Sequence, residues 1–197
     1  MDEYVESVKE GLEESKRFFS NPNKQNREVW VLREFLSYLP MEVSNEDISP
    51  SNVEPDDVFY GKFGFQIKEV LSEGRRRGKE YSDKLAAIKD ETKPEDLLEQ
   101  YTPIHIPLDQ ALPRVAFELA RHRVEKYKGN TSQIDVLVYL NLSDTTYANS
   151  EVRFIHDEFM NWRSVSLVSN NCAIVLACEV GGHEFLVPLV SNLYVKN

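Results

Sequence analysis

The amino-acid sequence predicts a mixed α/β fold from three segments. The first is a pair of runs rich in aromatic and β-branched residues, 57–60 and 63–70, with Gly61-Lys62 between them as a two-residue hairpin turn. The second is a long amphipathic helix over 108–127, and the third is a nearly continuous apolar run over 133–142, typical of a strand covered on both faces. Two strands, a long helix and a buried strand form an α/β order.

Further elements are predicted on either side of these segments. An apolar stripe predicts a helix over 3–19, and a second helix over about 25–39 is stopped by Pro40. An acidic loop over 41–53, with a short strand at its start, is followed after the hairpin by helices over 79–89 and 93–99 and by an extended connection. Strands are predicted near 152–155, 164–168, 173–179 and 184–189, with a turn at Gly181-Gly182 joining the last two.

Length and composition indicate the organisation of the chain. We expect its 197 residues to form one domain, with an N-terminal helix (1–22), a helix-and-strand core (23–142) and C-terminal strands completing the sheet (143–197). Charges interrupt the apolar runs and the N-terminus is acidic, so we expect a cytoplasmic protein without membrane contact. Cys172 and Cys178 are too far apart along one strand to form a disulfide, and both are expected in the core.

The charge of the chain is unevenly distributed. A net charge of −10 argues against tight nonspecific binding of nucleic acid over the whole surface. Two segments, 75–84 and 114–128, are nevertheless basic. The side chains just beyond the hairpin could receive phosphates, or they could pair with the surplus carboxylates of the protein itself; they are Arg75, Arg76, Arg77 and Lys79.

The predicted hairpin brings three polar side chains to one face. With Gly61-Lys62 as the turn, Tyr60 pairs with Phe63, and continuing this register places Asp57 opposite Gln66. Lys68 lies two residues beyond Gln66 and points to the same face. The sequence therefore predicts an acid, an amide and an ammonium side by side.

These residue types suit metal-assisted hydrolysis of a phosphodiester. Mg²⁺ takes oxygen ligands and needs only one or two protein carboxylates, so Asp57 and the Gln66 carbonyl could hold it. Lys68 could orient the attacking water or stabilise developing negative charge. The alternative interpretation is that Asp57 and Lys68 are ordinary charges on the solvated face of a hairpin.

The hairpin resembles a known nuclease motif. Pro55-Asp56-Asp57 followed by Gln66-Ile67-Lys68 resembles the PD-(D/E)XK motif, with Gln66 where an acid is usual. The chain more specifically resembles a largely bacterial family of uncharacterised proteins classed as endonucleases of that superfamily. This similarity runs from about residue 27 to about residue 176, through REVWVLREFL, EPDDVFYGKFGFQIKEVLSEGRRRGKEY, YTPIHIPL, IDVLVYLNLS and WRSVSLVSNNCAIVLA.

The resemblance implies a fold and an activity. It implies a restriction-endonuclease-like mixed sheet flanked by helices, and an endonuclease that uses Mg²⁺ or Mn²⁺ to hydrolyse DNA or RNA. Glu28, on the helix before the sheet, would supply an additional metal ligand beside Asp57 and Gln66. Relatives can carry Glu at the position of Gln66, and an amide binds a hard cation less strongly than a carboxylate.

That departure keeps other hypotheses open. The fold could have lost its metal and could serve as a module that binds nucleic acid or a protein partner. A second carboxylate near Asp57, from Glu28 or Asp56, would favour the enzyme. A homodimer formed through an apolar face of the C-terminal sheet is a third possibility. Trp162 could stack on a base or pack in the core.

Overall fold

Residues 2–98, 102–148 and 157–196 are described by a computed structural model. The helices in these ranges are α1 (Glu3–Phe18), α2 (Lys24–Tyr38), α3 (Arg77–Ala87) and α4 (Leu108–Tyr127). The strands in the same ranges are β1 (Ile48–Pro50), β2 (Val58–Tyr60), β3 (Phe63–Leu71), β4 (Ile104–Pro107), β5 (Asp135–Asn141), β6 (Thr145–Ala148), β7 (Ser164–Val168), β8 (Cys172–Cys178) and β9 (Leu193–Val195). None of the helices in these ranges is long and apolar enough to cross a membrane.

The chain divides into two units, and the first is helical. It comprises Met1–Arg27 and Glu73–Thr102, and contains α1, α3 and a short 3-10 turn over Pro94–Leu97. The carboxylate of Asp2 accepts a hydrogen bond from the Tyr4 N–H at 2.9 Å and so caps α1. Arg77 lies over the ring of Phe19 at 3.9 Å. The helices predicted over 3–19 and 79–89 are confirmed, whereas the segment predicted as a helix over 93–99 forms the shorter 3-10 turn.

The second unit, Glu28–Ser72 with Pro103–Asn197, contains the main sheet. Its seven strands run in the order β1-β2-β3-β5-β7-β8-β9. β3, β5 and β7 are parallel to one another, while β1, β2, β8 and β9 pair antiparallel with their neighbours. β4 and β6 form a separate parallel pair. The predicted mixed α/β fold is confirmed.

The β2–β3 hairpin forms in the predicted register. Tyr60 pairs with Phe63, Phe59 with Gly64 and Val58 with Phe65. Gly61 has a φ of 54°, a left-handed conformation that glycine adopts without the steric cost of a Cβ. The turn therefore fixes which side chains of β3 share a face.

The main sheet buries a core on each face. Val70, Val136 and Val138 pack with the apolar residues of α4. Phe65 and Leu137, which alternate with them along the strands, pack instead with the apolar residues of α2. α2 and α4 therefore cover opposite faces of the sheet, and β5 is buried on both sides as predicted.

Three strand predictions have different outcomes. The predicted strand over 184–189 is wrong, because this segment is irregular and ends in a 3-10 turn at Val187–Leu189. Pro188 has no N–H for a ladder, and β9 takes the place beside β8 instead. The strand predicted at the start of the 41–53 loop forms later, at β1. The strand predicted near 152–155 lies outside the described residues.

Candidate active site

Asp57 directly precedes β2 and is buried, with 6% of its surface exposed. Its Oδ2 accepts a hydrogen bond from the Ile67 N–H at 2.9 Å and a second one from the side-chain amide of Gln66. The register that sets Asp57 opposite Gln66 is therefore present, and the carboxylate faces β3.

Gln66 is buried and uses both ends of its amide. Its Nε2 donates to Asp57 Oδ2 and approaches the Ile67 carbonyl oxygen at 3.3 Å. Its Oε1 accepts from Lys126 Nζ at 3.0 Å and from the Tyr127 hydroxyl. The opposite amide orientation would place the NH₂ group against the Lys126 ammonium. Gln66 thus links a carboxylate on the hairpin to a cation on α4.

Lys68 lies two residues further along β3, on the same face. Burial lowers the pKa of the Lys68 ammonium. The charge of Glu118 on α4 raises this pKa, and the charge of Arg121 lowers it. We name Asp57, Gln66, Lys68, Lys126 and Tyr127 the hairpin cluster.

The end of α4 supplies residues that the sequence reasoning did not assign to the site. Lys126 is bound by Gln66 and by Glu54, whose Oε2 lies 3.1 Å from Nζ. His122 packs edge-on against the Tyr127 ring, with centroids 5.4 Å apart. Burial lowers the pKa of His122 to about 4, and the Lys68 and Lys126 ammonium groups add to this effect. The helical spacing of the sequence could have indicated these residues, because they continue the buried stripe of α4 toward its C-terminus.

Glu28 and Asp56 are the two other carboxylates that the sequence indicates near Asp57. Glu28 is buried on α2 and precedes Val31 and Leu32 by one turn, so it shares their side of the helix. Asp56 lies against Gly64, and burial raises its pKa while Arg163 opposes and Asp135 reinforces the shift. The charges that act on Asp56 thus include those of a second polar group, formed by Asp135, Arg163 and His183.

That second group is built around Asp135, which is fully buried. Asp135 Oδ2 accepts from Arg163 Nε at 2.6 Å, and Oδ1 accepts from Ser164 Oγ at 2.6 Å. His183 Nε2 lies 3.3 Å from Asp135 Oδ2 and 2.7 Å from the Gly64 carbonyl oxygen. The group joins β3, β5 and β7 to the C-terminal segment.

The oxygen atoms of the site determine whether a cation fits. The Asp57 carboxylate and the Ile67 carbonyl both receive the Gln66 NH₂ group, so these two hard oxygens converge on one point. Within 2–98, 102–148 and 157–196 there is no group of three or more His, Cys, Asp or Glu side chains suited to a metal. One carboxylate, a carbonyl and water suffice for Mg²⁺ when phosphate supplies further ligands.

In the basic segment after the hairpin, some side chains contact other residues of the protein and others are exposed. Arg75 Nε pairs with Glu80 Oε2 at 2.9 Å, and Arg77 is buried beside Phe19. Arg76 and Lys79 are exposed. Of the other sequence candidates, Trp162 is fully buried in the core, and Cys172 and Cys178 are free thiols as predicted.

Comparisons with known proteins give a family and a fold. A family model matches residues 1–195, and this family, DUF1780, is described as "Putative endonuclease, protein of unknown function". A solved Pseudomonas aeruginosa strain PAO1 protein of unknown function, described as a member of the monooxygenase superfamily, has a similar fold with a TM-score of 0.67. It is 24% identical, and the match covers 100% of this chain and 97% of that chain. No curated protein matches the chain.

Proposed function

Because this chain belongs to the DUF1780 family, we propose that it is a metal-dependent endonuclease of the PD-(D/E)XK type, which hydrolyses phosphodiester bonds of DNA or RNA. The supporting observation is the hairpin cluster, in which Asp57, Gln66 and Lys68 share one face of the β2–β3 hairpin. The description of the family as an endonuclease agrees with this activity in general terms.

Mg²⁺ or Mn²⁺ would be held by the Asp57 carboxylate and the Ile67 carbonyl. When bound, such an ion polarises the phosphoryl oxygen and lowers the pKa of bound water. The Gln66 oxygen would join these ligands only after its amide turns away from Lys126 and Tyr127. Glu28 is proposed as a further ligand from α2.

The cations of the cluster would act on the substrate. Lys68 would donate a hydrogen bond to the attacking water or to a phosphoryl oxygen, where negative charge develops. The exposed side chains of Arg76 and Lys79 are also proposed to bind phosphates of the nucleic acid, together with Arg75 and Arg77 of the same segment.

Cleavage assays test this function. We expect Mg²⁺- or Mn²⁺-dependent cutting of labelled single- or double-stranded DNA or RNA by the wild type. Asp57→Ala and Lys68→Ala should reduce cutting by at least about 100-fold, the usual order for loss of a group that stabilises transition-state charge. Lys62→Ala, in the exposed hairpin turn, is the control and should cut normally. Cutting that survives Asp57→Ala would refute the assignment of the site.

A second candidate function is favoured by the hydrogen bonds of Gln66. Its NH₂ group satisfies Asp57 in the place where a cation would bind, and its oxygen is already bound by two donors. This arrangement suits a nuclease fold that binds nucleic acid or a protein partner, or forms a homodimer, without chemistry.

Gln66→Glu discriminates between the two functions. The introduced glutamate and Asp57 would present two carboxylates beside the Ile67 carbonyl, so the variant should gain affinity for Mn²⁺, measured as a metal-dependent rise in melting temperature. Cutting by the variant but not by the wild type would indicate a disabled nuclease. Gln133→Glu, at an exposed position, is the matched control.

A further inference from the structure

The outward side of α4 combines apolar and basic side chains. Phe117 and Val124 are 63% and 59% exposed although both are large and apolar. Arg121 shares their side of the helix, because the spacings of four and three residues return to one face. Lys128 is the exposed residue that caps the C-terminal end of α4, and its Nζ donates to the Glu125 carbonyl oxygen at 3.1 Å. We name Phe117, Arg121, Val124 and Lys128 the α4 outer face.

Among the described residues, the acidic neighbours of this face do not cancel its positive charge. Glu118 is shared by two guanidinium groups, with Arg121 Nη2 at 2.6 Å and Arg114 Nη2 at 3.6 Å. The Glu118 side chain is 11% exposed, whereas that of Arg121 is 50% exposed. Glu125 is also exposed between Val124 and Lys128, so two carboxylates face the three cations Arg114, Arg121 and Lys128, and one positive charge is left on a protein whose net charge is −10.

The α4 outer face lies on the same helix as Lys126 of the hairpin cluster, but on the opposite side of that helix, because nine residues separate Phe117 from Lys126. Lys126, between Val124 and Lys128 in the chain, reaches Gln66, and the charge of Arg121 acts on Lys68. The axial distance from Phe117 to Lys126 is about 14 Å, at 1.5 Å per residue. A strand that contacts both groups would therefore have to pass around α4 over this distance.

We propose that the α4 outer face binds single-stranded nucleic acid, with one base stacked on Phe117 and backbone phosphates on Arg121 and Lys128. Exposed aromatic rings interleaved with cations bind unpaired strands, because an unstacked base offers its π-face while the phosphates meet the basic side chains. A duplex keeps its bases stacked and gives Phe117 nothing to contact. The proposal rests on the proposed function in taking nucleic acid as the ligand.

Fluorescence anisotropy in EDTA tests binding without cleavage, using labelled oligo(dT), oligo(U) and a matched duplex. Phe117→Ala should weaken binding of the single strands by about 5- to 150-fold, the range for one stacked base, and Phe117→Trp should retain it. Arg121→Gln should reduce the slope of log affinity against log salt by about 0.7. Val180→Ala and Lys62→Gln, at exposed positions elsewhere, are the controls.

Three results would overturn the proposal: no binding of single strands by the wild type, unchanged binding by Phe117→Ala, or equal dependence of duplex binding on Phe117. Gel filtration with light scattering measures the oligomeric state and so tests whether a second copy of the chain covers this face instead. A dimer that dissociates in Phe117→Ala would assign the face to that second copy. Binding through Phe117 without any cleavage would remove the endonuclease proposal and leave this one standing. Metal-dependent cleavage by the wild type, with unchanged binding by Phe117→Ala, would support the endonuclease proposal and overturn the proposal for the α4 outer face.

Discussion

Gln66 determines how many carboxylates the hairpin cluster can offer to a cation. A carboxamide both donates and accepts, so Gln66 satisfies the Asp57 carboxylate with its NH₂ group and Lys126 with its oxygen. A glutamate would still accept from Lys126 and Tyr127, but it would face Asp57 with a second negative charge. That pair of carboxylates would favour a bound cation, which is why the identity of this residue separates the two proposed functions.

His122 gives a pH dependence that belongs to a single residue. Burial and the nearby Lys68, Lys126 and Arg121 charges lower its folded-state pKa to about 4, with Asp57 opposing. Its ordinary value is about 6.5, so between these two values the unfolded chain binds more protons and stability rises with pH. We expect the His122 contribution to be complete above about pH 6.5 and to be lost as pH falls toward 4, by about 1–2 kcal/mol after allowing for its half-buried ring.

Urea unfolding from pH 4 to 7 measures this effect. His122→Leu should flatten the dependence in that window, because it removes the titrating group and keeps an apolar contact with Tyr127 and Trp162. His105→Leu, at an exposed position on β4, is the matched control. An unchanged slope in His122→Leu would assign the pH dependence to other groups.

At the scale of the element, the hairpin accounts for the predictable half of the site. Its turn sets the register, and the register sets Asp57 opposite Gln66 with Lys68 on the same face. The contribution of α4 could not be derived in this way. Helical spacing groups His122 with Lys126, but only the rotation of α4 against β3 turns that group toward Gln66.

Gly64 on β3 marks a place where the hairpin leaves no room for a side chain. A Cβ at Gly64 would overlap the carboxyl group of Asp56, so Asp56, next to Asp57, would have to move. We expect Gly64→Ala to lower the free energy of unfolding by about 1–3 kcal/mol.

Gly11→Ala is the matched control for Gly64→Ala. Gly11 lies within α1 and its Cβ would meet no atom within 4 Å, so the same change should stabilise by about 0.5–1 kcal/mol. Thermal or urea unfolding of both variants gives the comparison. Equal effects of the two substitutions would contradict the packing of Asp56 on Gly64.

At the scale of the whole molecule, the hydrogen bonds around Asp135 link β3, β5 and β7 of the main sheet to the C-terminal segment. Asp135→Ala would leave Arg163 and His183 beside a buried void without their carboxylate. Removing one member of a buried charged group usually costs about 3–5 kcal/mol, and we expect that loss in urea unfolding. The exposed pair Lys62–Glu184 is the contrast, since Lys62→Ala should cost at most about 1 kcal/mol. A small effect of Asp135→Ala would show that the network orders the segments without stabilising the fold.

Local periodicity in the sequence was enough to predict α1, α2 and α4, the β2–β3 hairpin with its register, and the burial of β5 on both faces. It was not enough for the last part of the chain, where the side of β8 is occupied by β9 rather than by the segment around Pro188. Tertiary packing decided that Gln66 meets Lys126 and Tyr127, and that Asp135 meets Arg163 and His183. These contacts join residues 28 to 61 positions apart. Spacing along one helix or strand carries no information about them, because they depend on how separate elements pack.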